Sequence, residues 1–144
     1  MMFVVAGGPV FLPSGMTKNG TQTTTSSFAD ITSWTADTSN YPGSSVSSNA
    51  LVAQGSKTGA TLTANIPFSG GGYAFSGGGT QVRILVNGTV VATGTAVAAN
   101  SGTATCTTTQ NITAGDLVKV QILATLYSPQ PTVTAGTGTY VRIT

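Results

Sequence analysis

The stretch QVRILVNGTVVATGTAV, residues 81–97, is the part of the sequence that decides the fold class. In its first half, QVRILV, valine and isoleucine occupy every second position, which is the period of a β-strand. Asn87-Gly88 follows and leads into a second run rich in valine and threonine. Asn-Gly between two such runs is a strong hairpin signal, because both turn residues must accept positive φ. The stretch therefore predicts two antiparallel strands joined by a tight turn.

The rest of the chain from Phe28 onward has a similar composition and pattern. Short segments rich in Val, Ile, Thr and aromatic residues are broken about every 8 to 12 residues by Gly, Asn or Pro. Glu is absent and threonine is abundant, so helix propensity is low throughout. Further strands are predicted over residues 30–35, 50–54, 59–66, 73–75, 102–109, 117–127 and 139–144. About eight short antiparallel strands predict an all-β domain, a jelly-roll β-sandwich.

The segment LVKVQILATLY, residues 117–127, is apolar on both of its faces. Val118, Val120 and Ile122 share one face by alternation, while Leu117 and Leu123 make the other face partly apolar. A strand with this pattern is covered on both sides. The last strand places Tyr140 and Arg142 on the face opposite its valine and isoleucine.

The first 27 residues are predicted to be an extended arm and tether in front of a domain spanning residues 28–144. The arm begins with the apolar run MMFVVAGGPVFLP and continues into a polar stretch without periodicity. The run lacks a basic start and is shorter than the roughly 20 apolar residues of a membrane span, so neither a signal peptide nor a span is expected. Its apolar residues are expected to dock on another molecule: Met1, Met2, Phe3, Val4, Val5, Val10, Phe11 and Leu12.

Composition argues against several classes of function. The 144 residues include five Lys or Arg, three Asp and no His, and the cations are scattered rather than clustered. General acid–base catalysis and zinc binding lack their usual side chains, so no enzyme activity, cofactor or metal site is expected. Without a basic cluster, nucleic acid is not an expected partner.

The glycine-rich stretch NIPFSGGGYAFSGGG, residues 65–79, repeats the pentamer FSGGG. A phosphate-binding loop would lead into a helix and a lysine, and neither follows here. Our interpretation is that Tyr73 and Phe75 fill the sandwich. The flanking glycines then let the strand leave and re-enter the sheet where a side chain would collide.

Three aromatic residues, Trp34, Tyr41 and Tyr127, allow two interpretations. Trp34, Tyr41 and Tyr127 would form a platform for sugar rings if their faces were exposed. Alternatively, Trp34 fills the bottom of the sandwich as an ordinary core residue. The sequence leaves both interpretations open.

Three stretches in order resemble the jelly rolls of the complement globular head and tumour-necrosis-factor-like family. Ile66-Pro67 leading to Gly72-Tyr73-Ala74-Phe75 resembles the family's Pro…Gly-x-Tyr-x-Phe segment, and VRILVNG at 82–88 resembles the strand and turn that follow. AGDLVKV at 114–120 resembles a strand start near the family's C-terminus. The resemblance implies a homotrimer that buries one sheet face of each subunit. The residues expected in that interface are Leu117, Leu123, Tyr140 and Arg142.

The Thr-, Gly- and Ser-rich, charge-poor texture is similar to that of family versions in tail and decoration proteins of phages that infect actinobacteria. This resemblance implies a non-enzymatic virion structural protein, a trimeric minor tail or capsid decoration component assembled in the host cytoplasm and exposed on the particle. Its apolar arm would anchor it to other virion proteins. The alternative implied here is a host-adhesion module that recognises cell-wall glycan through Trp34, Tyr41 and Tyr127.

Overall fold

Strands make up nearly all the regular structure in the computed structural model, which describes residues 10–74 and 76–144. No helix occurs in these two ranges. The strands are β1 (Ser14–Lys18), β2 (Gln22–Thr23), β3 (Ala29–Asp30), β4 (Trp34–Ala36), β5 (Val46–Ser47), β6 (Ala50–Val52), β7 (Lys57–Ser69), β8 (Gly79–Val86), β9 (Thr89–Thr93), β10 (Gly102–Ile112), β11 (Leu117–Thr125), β12 (Thr132–Val133) and β13 (Gly136–Ile143). The predicted all-β fold is confirmed.

The strands form two antiparallel sheets that pack as a jelly-roll sandwich. In the first, called the β7 sheet, β7 lies between β10 on one edge and β13 on the other, and β1 and β4 continue beyond β13. Strands β12 and β2 extend this sheet at the far end of β7. In the second, called the β11 sheet, the order is β5-β6-β11-β8-β9, with β3 also paired to β11.

The core lies between the two sheets and follows the alternation seen in the sequence. Val120 lies opposite Ile84 across the β11–β8 ladder, and both are fully buried. The hairpin between β8 and β9 turns at Asn87 and Gly88, whose φ values are 50° and 82°. The inward side chains that make up most of the core are Leu62, Ala64, Ile66, Val82, Ile84, Val118, Val120, Ile122, Val141 and Ile143.

The prediction of a tether through residue 27 is wrong from Ser14 onward. Strand β1 lies inside the β7 sheet, paired with β13 on one side and β4 on the other, and Met16 is fully buried. Gly15 is required here because a Cβ would lie 2.5 Å from Cδ2 of Tyr41. The sandwich therefore includes residues that precede Phe28. Pairing on both edges places the mostly polar sequence SGMTK in the sheet despite its weak strand pattern.

The described end of the arm lies against the sandwich. Phe11 packs on the core, and the backbone N–H of Leu12 donates a hydrogen bond to the carbonyl of Gln54 (2.8 Å). A Cβ on Gly55 would lie 2.7 Å from Cα of Phe11, so the glycine permits this close approach. Val10 and Leu12 remain 82% and 49% exposed. The other predicted docking residues, Met1 to Val5, lie outside the described residues.

The repeated glycines allow close approach between backbone segments. A Cβ on Gly71 would lie 2.7 Å from the Tyr127 ring, and one on Gly79 would lie 2.8 Å from the carbonyl oxygen of Val97. These distances support the interpretation that the glycines shape the fold. The predicted role of Tyr73 is corrected, because its ring packs on Tyr127 (centroids 5.0 Å apart) outside the main core. Its predicted companion Phe75 lies outside the described residues.

Lys18 is a buried cation at the end of β1. Its residue is 3% exposed, and Nζ donates one hydrogen bond, to the carbonyl oxygen of Asn19 (3.2 Å). Burial of the charged group lowers the pKa of Lys18 below its usual value. The charged form therefore costs stability in the folded state.

Replacing Lys18 with Met should stabilise the protein, because it removes this desolvation cost while keeping the chain length. The expected gain is about 1 kcal/mol near neutral pH. In the native protein the unfolded chain holds the Lys18 proton more tightly than the folded chain does. The free energy of unfolding should therefore rise with pH from the lowered pKa towards 10.5, and Lys18→Met should lack that rise. Urea unfolding at several pH values measures both effects, and a destabilised variant would contradict the account.

Candidate functional site

The outward side chains of β10, β7 and β13 form one continuous surface, called here the threonine face. Across the sheet, Thr107 lies opposite Thr63, which lies opposite Arg142, and Thr105, Asn65 and Tyr140 form the adjacent row. Their neighbours along each strand point into the core. The residues of this face are Thr61, Thr63, Asn65, Pro67, Thr103, Thr105, Thr107, Thr109, Tyr140 and Arg142.

The threonine face carries almost no charge. Apart from Lys57 at the start of β7, its three strands contain one charged residue, Arg142. The cores of protein–protein interfaces are depleted in charge and enriched in Tyr and Arg. The low charge of this face, together with Tyr140 and Arg142, is a feature that it shares with such interface cores.

The outer face of the β11 sheet has a different character. The Gln121 side-chain amide donates to Oδ1 of Asp30 (2.8 Å), and Nζ of Lys119 lies 3.2 Å from Oδ2. These contacts, the Gln121 hydrogen bond first, lower the pKa of Asp30 despite partial burial. Arg83 adds a hydrogen bond to Gln121 (2.8 Å) and stacks on Phe28. A part-exposed polar network of this kind is typical of a solvated surface.

Arg142 lies beside two aromatic rings. Its guanidinium carbon lies 3.6 Å from the ring centroid of Tyr140 and 5.6 Å from that of Tyr41. Its Nε is buried and has no hydrogen-bond partner among the described residues. Buried polar atoms are nearly always hydrogen-bonded, so an unpaired one needs an explanation.

A shallow apolar pocket borders Arg142. It has a volume of about 230 Å³ and is lined by Leu12, Pro13, Asn40, Tyr41 and Pro42. Tyr41 joins the two features, since its ring lies over Gly15 and also faces Arg142. The pocket, the stacked guanidinium and the threonine face therefore form one connected surface.

Strand β10 forms an edge of this surface. It is 11 residues long and pairs with β7 along one side, and no described strand pairs with its other side. Its sequence, GTATCTTTQNI, contains no charged residue and no proline. Natural proteins usually protect exposed edges with such residues or with a covering element. The segment that follows β9 lies against part of this edge, since a Cβ on Gly94 would clash with the carbonyl oxygen of Thr105.

The four residues predicted for a trimer interface lie on two different surfaces. Tyr140 and Arg142 lie on the threonine face, whereas Leu117 and Leu123 are half-buried on the outer face of the β11 sheet. One flat contact cannot cover both faces of a sandwich. The sequence pattern identified outward apolar residues but could not assign them to a sheet.

Two of the three predicted sugar-binding aromatics are buried, which corrects that part of the prediction. Trp34 is 9% exposed, lies in the core, and donates from Nε1 to the carbonyl of Ile31 (2.8 Å). Tyr127 is 8% exposed, and its hydroxyl donates to the carbonyl of Ala99 (2.7 Å). Neither presents a ring face to a ligand. Tyr41 is half-buried and reaches the surface at the pocket.

Metal-binding clusters do not occur in the part of the chain that the structure describes. There, no three residues among His, Cys, Asp and Glu lie close enough to hold a metal ion. Cys106 is buried, and desolvation raises the pKa of its thiol, which disfavours the nucleophilic thiolate. The same residues include no helix long and apolar enough to cross a membrane.

Comparison with known proteins identifies the fold. No protein-family model matches the chain, and no curated protein matches it. Among solved structures, Eiger TNF from S. frugiperda is similar with a TM-score of 0.61 at 8% identity, covering 94% of this chain and 92% of that one. Murine APRIL has a TM-score of 0.58 at 10% identity, covering 92% and 97%. Rabbit GITRL has a TM-score of 0.50 at 13% identity, covering 92% of each chain. The fold is therefore a tumour-necrosis-factor-like jelly roll.

Proposed function

We propose that this chain is a non-enzymatic structural protein of a bacteriophage virion that assembles as a homotrimer through its threonine face. It would serve as a minor tail or capsid decoration component, made in the host cytoplasm and exposed on the particle. The observation that carries the proposal is the threonine face itself, a nearly uncharged surface on which Arg142 has a buried Nε without a partner among the described residues.

The proposed assembly would supply two partners that the single chain lacks: a neighbour for the edge of β10 and a hydrogen-bond acceptor for Arg142. A second copy of the chain would cover the unpaired edge of β10, and a backbone carbonyl or hydroxyl from it could accept from Nε of Arg142. Tyr140 and Tyr41, which lie beside the guanidinium, would then be aromatic anchors of the kind that dominate interface energetics. The charged network on the β11 sheet would face solvent.

Three copies are proposed because the fold resembles a family whose members associate about an axis parallel to the strands. A closed ring of three brings each copy's threonine face to the same axis, so no such face is left exposed. The likeness in fold to Eiger TNF, murine APRIL and rabbit GITRL supports this choice of architecture.

Two features support the virion role: the hydroxyl-rich, charge-poor composition of the domain and the exposed apolar residues near its N-terminus. The domain relies on hydroxyl groups rather than charges for its surface, as in the phage tail and decoration proteins it resembles. At the surface, Val10 and Leu12 are exposed apolar side chains beside the apolar pocket. Together with Met1 to Val5, they would anchor the trimer to other virion proteins.

A matched pair of lysine substitutions tests the assembly face. Tyr140 and Leu123 are both half-buried, outward-facing residues in the middle of strands, but they lie on opposite sheets. Tyr140→Lys places a second cation beside Arg142 in the proposed interface, where an unpaired buried charge costs several kcal/mol. We expect Tyr140→Lys to reduce the solution mass from three chains to one, and Leu123→Lys to remain trimeric.

Circular dichroism of both variants shows whether each remains folded, so that loss of assembly is distinguished from loss of structure. A trimeric Tyr140→Lys protein together with a monomeric Leu123→Lys protein would move the interface to the β11 sheet. If both variants kept the native mass, neither face would be the assembly surface.

A second candidate function is adhesion to host cell-wall glycan. The observation that favours it is the group of Tyr41, Arg142 and Tyr140 next to the apolar pocket, since aromatic rings and a guanidinium are suited to stacking and hydrogen bonding with sugars. Because the proposed trimer would bury these three residues, adhesion through them requires a chain whose threonine face is exposed.

Binding to purified cell-wall polysaccharide distinguishes the two candidates. If adhesion is the function, the native protein binds and Tyr41→Ala loses binding, while the matched change Tyr73→Ala, at the other aromatic pair, does not. No binding to any polysaccharide, together with firm association with the particle, leaves the structural role.

A further inference from the structure

The chain contains two Asn-Gly sequences, Asn19-Gly20 and Asn87-Gly88, and the fold treats them differently. In such a pair the backbone nitrogen of glycine can attack the side-chain amide carbon of asparagine, because glycine has no side chain to hinder the approach. The attack requires the asparagine side chain to turn towards that nitrogen. Its occurrence therefore depends on what holds the side chain.

Asn87 is held at both ends of its amide. Its Nδ2 donates to Oδ1 of Asp116 (2.9 Å), and its Oδ1 accepts from the backbone N–H of Leu117 (2.9 Å). Both hydrogen bonds link the hairpin turn to the start of β11. The side chain would have to break them before its amide carbon could reach the nitrogen of Gly88.

Asn19 is free by comparison. It is exposed, and neither its side-chain amide nor the N–H of Gly20 has a hydrogen-bond partner among the described residues. A Cβ built on Gly20 would meet no atom within 4 Å, so the turn is open on that side. The hydrogen bonds of Asn19 involve its backbone, where the N–H donates to the carbonyl of Ser33 (2.8 Å).

The neighbouring Lys18 favours the reaction at Asn19. Its Nζ donates to the carbonyl oxygen of Asn19 (3.2 Å), the oxygen of the same peptide group whose nitrogen belongs to Gly20. When that nitrogen loses its proton, amide resonance places negative charge on this oxygen. A charged donor stabilises the anion through a charge-assisted hydrogen bond. Lys18 therefore acts as a positioning and activating residue for the nitrogen that attacks.

We propose that Asn19 is a site of spontaneous deamidation directed by Lys18, and that Asn87 is protected from it. The nitrogen of Gly20 bonds to Cγ of Asn19, and the bond from Cγ to Nδ2 breaks. Ammonia leaves with the proton lost from Gly20, and a cyclic succinimide remains. Water then opens the ring: its hydroxyl adds to one of the two carbonyl carbons and its proton returns to the nitrogen. The products are aspartate and isoaspartate at position 19, with no oxidant or reductant involved.

The modification changes the surroundings of Lys18. The native lysine is almost fully buried, and among the described residues its ammonium donates one hydrogen bond, to the backbone carbonyl of Asn19. The reaction creates a carboxylate on residue 19, whose backbone carbonyl oxygen lies 3.2 Å from that ammonium. A nearby opposite charge stabilises a desolvated cation. The mature form would therefore carry an ion pair that the translated sequence does not contain.

Peptide mapping by mass spectrometry tests the proposal on the intact folded chain during incubation in warm, mildly alkaline buffer. The peptide containing Asn19 should gain the mass difference between an amide and an acid and split into aspartate and isoaspartate forms. The peptide with Asn87 should react slower than the Asn19 peptide by a factor of roughly ten or greater, because two hydrogen bonds must first break. In denaturant the two peptides should react at similar rates. An unchanged Asn19 peptide, or equal rates in the folded chain, would overturn the proposal.

The role of Lys18 is tested separately with Lys18→Met and Lys18→Arg. Loss of the ammonium should slow the reaction at Asn19 by roughly threefold to tenfold, and arginine should restore much of the rate because it keeps a charged donor. The rate at Asn87 serves as the internal reference. If Lys18→Met reacts at the native rate, Lys18 has no part in the chemistry.

Discussion

Val120→Asp is expected to abolish folding. Val120 is fully buried in the middle of β11, opposite Ile84 of β8 and within the core. Burying an unpaired carboxylate there costs several kcal/mol, against a total stability of about 5 to 15 kcal/mol for a domain of this size. Circular dichroism and the yield of soluble protein measure the result.

Two further variants separate the effect of charge from the effect of lost volume. Thr93→Asp places the same charge at an exposed position of the same sheet and should leave the fold intact. Val120→Ala should fold with a stability reduced by about 2 to 3 kcal/mol, because it leaves a cavity. A well-folded Val120→Asp protein would mean that β11 is shifted by one residue, since such a shift turns every side chain to the opposite face.

Deleting residues 1–25 should also unfold the protein. The deletion removes β1, which pairs with β13 and β4, and it removes the fully buried Met16. Without β1, the edge of β13 that faces away from β7 loses its hydrogen-bonding partner. The loss of Met16 alone costs about 1.5 to 3 kcal/mol, before the lost strand pairing is considered.

Deletion of residues 1–9 is the matched control, because it keeps every contact of the described chain. This shorter deletion should remain folded and trimeric while binding less well to its particle. Thermal unfolding followed by circular dichroism compares the two deletions. A stable domain after removal of residues 1–25 would show that β1 is dispensable for folding. The first 27 residues would then be an arm and tether, as the sequence pattern predicts.

Much of the fold could be predicted from local pattern. The β8–β9 hairpin, the faces of β11 and the alternation in β13 all follow from a two-residue period and from Asn87-Gly88. Each of these segments is long or rich in β-branched residues, so its pattern is strong. The faces were assigned correctly because burial of one face fixes the register.

The missed elements depend on contacts between distant parts of the chain. Strand β1 has a weak strand pattern and belongs to the sheet because β13 and β4 pair with both of its edges. Gly15 gave no local signal, since its role is to make room for Tyr41. The burial of Trp34 and Tyr127 likewise results from packing that no short stretch reveals.

The candidate site was predicted only in part, because it too depends on contacts between distant parts of the chain. The alternation in the sequence correctly predicted that the side chains of Tyr140, Arg142 and Leu123 point away from the core. Which sheet each strand joins depends on topology, so the sequence could not separate the two outer faces. The alternating threonines of TATCTTT, residues 103–109, were the available signal for the threonine face.

The central claim is that the native chain assembles as a trimer, and the most direct measurement is its mass in solution by light scattering. The full chain should be used, since β1 belongs to the sandwich. The account predicts a mass three times the 14.3 kDa of a single chain, independent of concentration over the range in which the protein is stable. A single-chain mass over the same range would contradict it, and the threonine face would then have to be explained by a partner of a different kind.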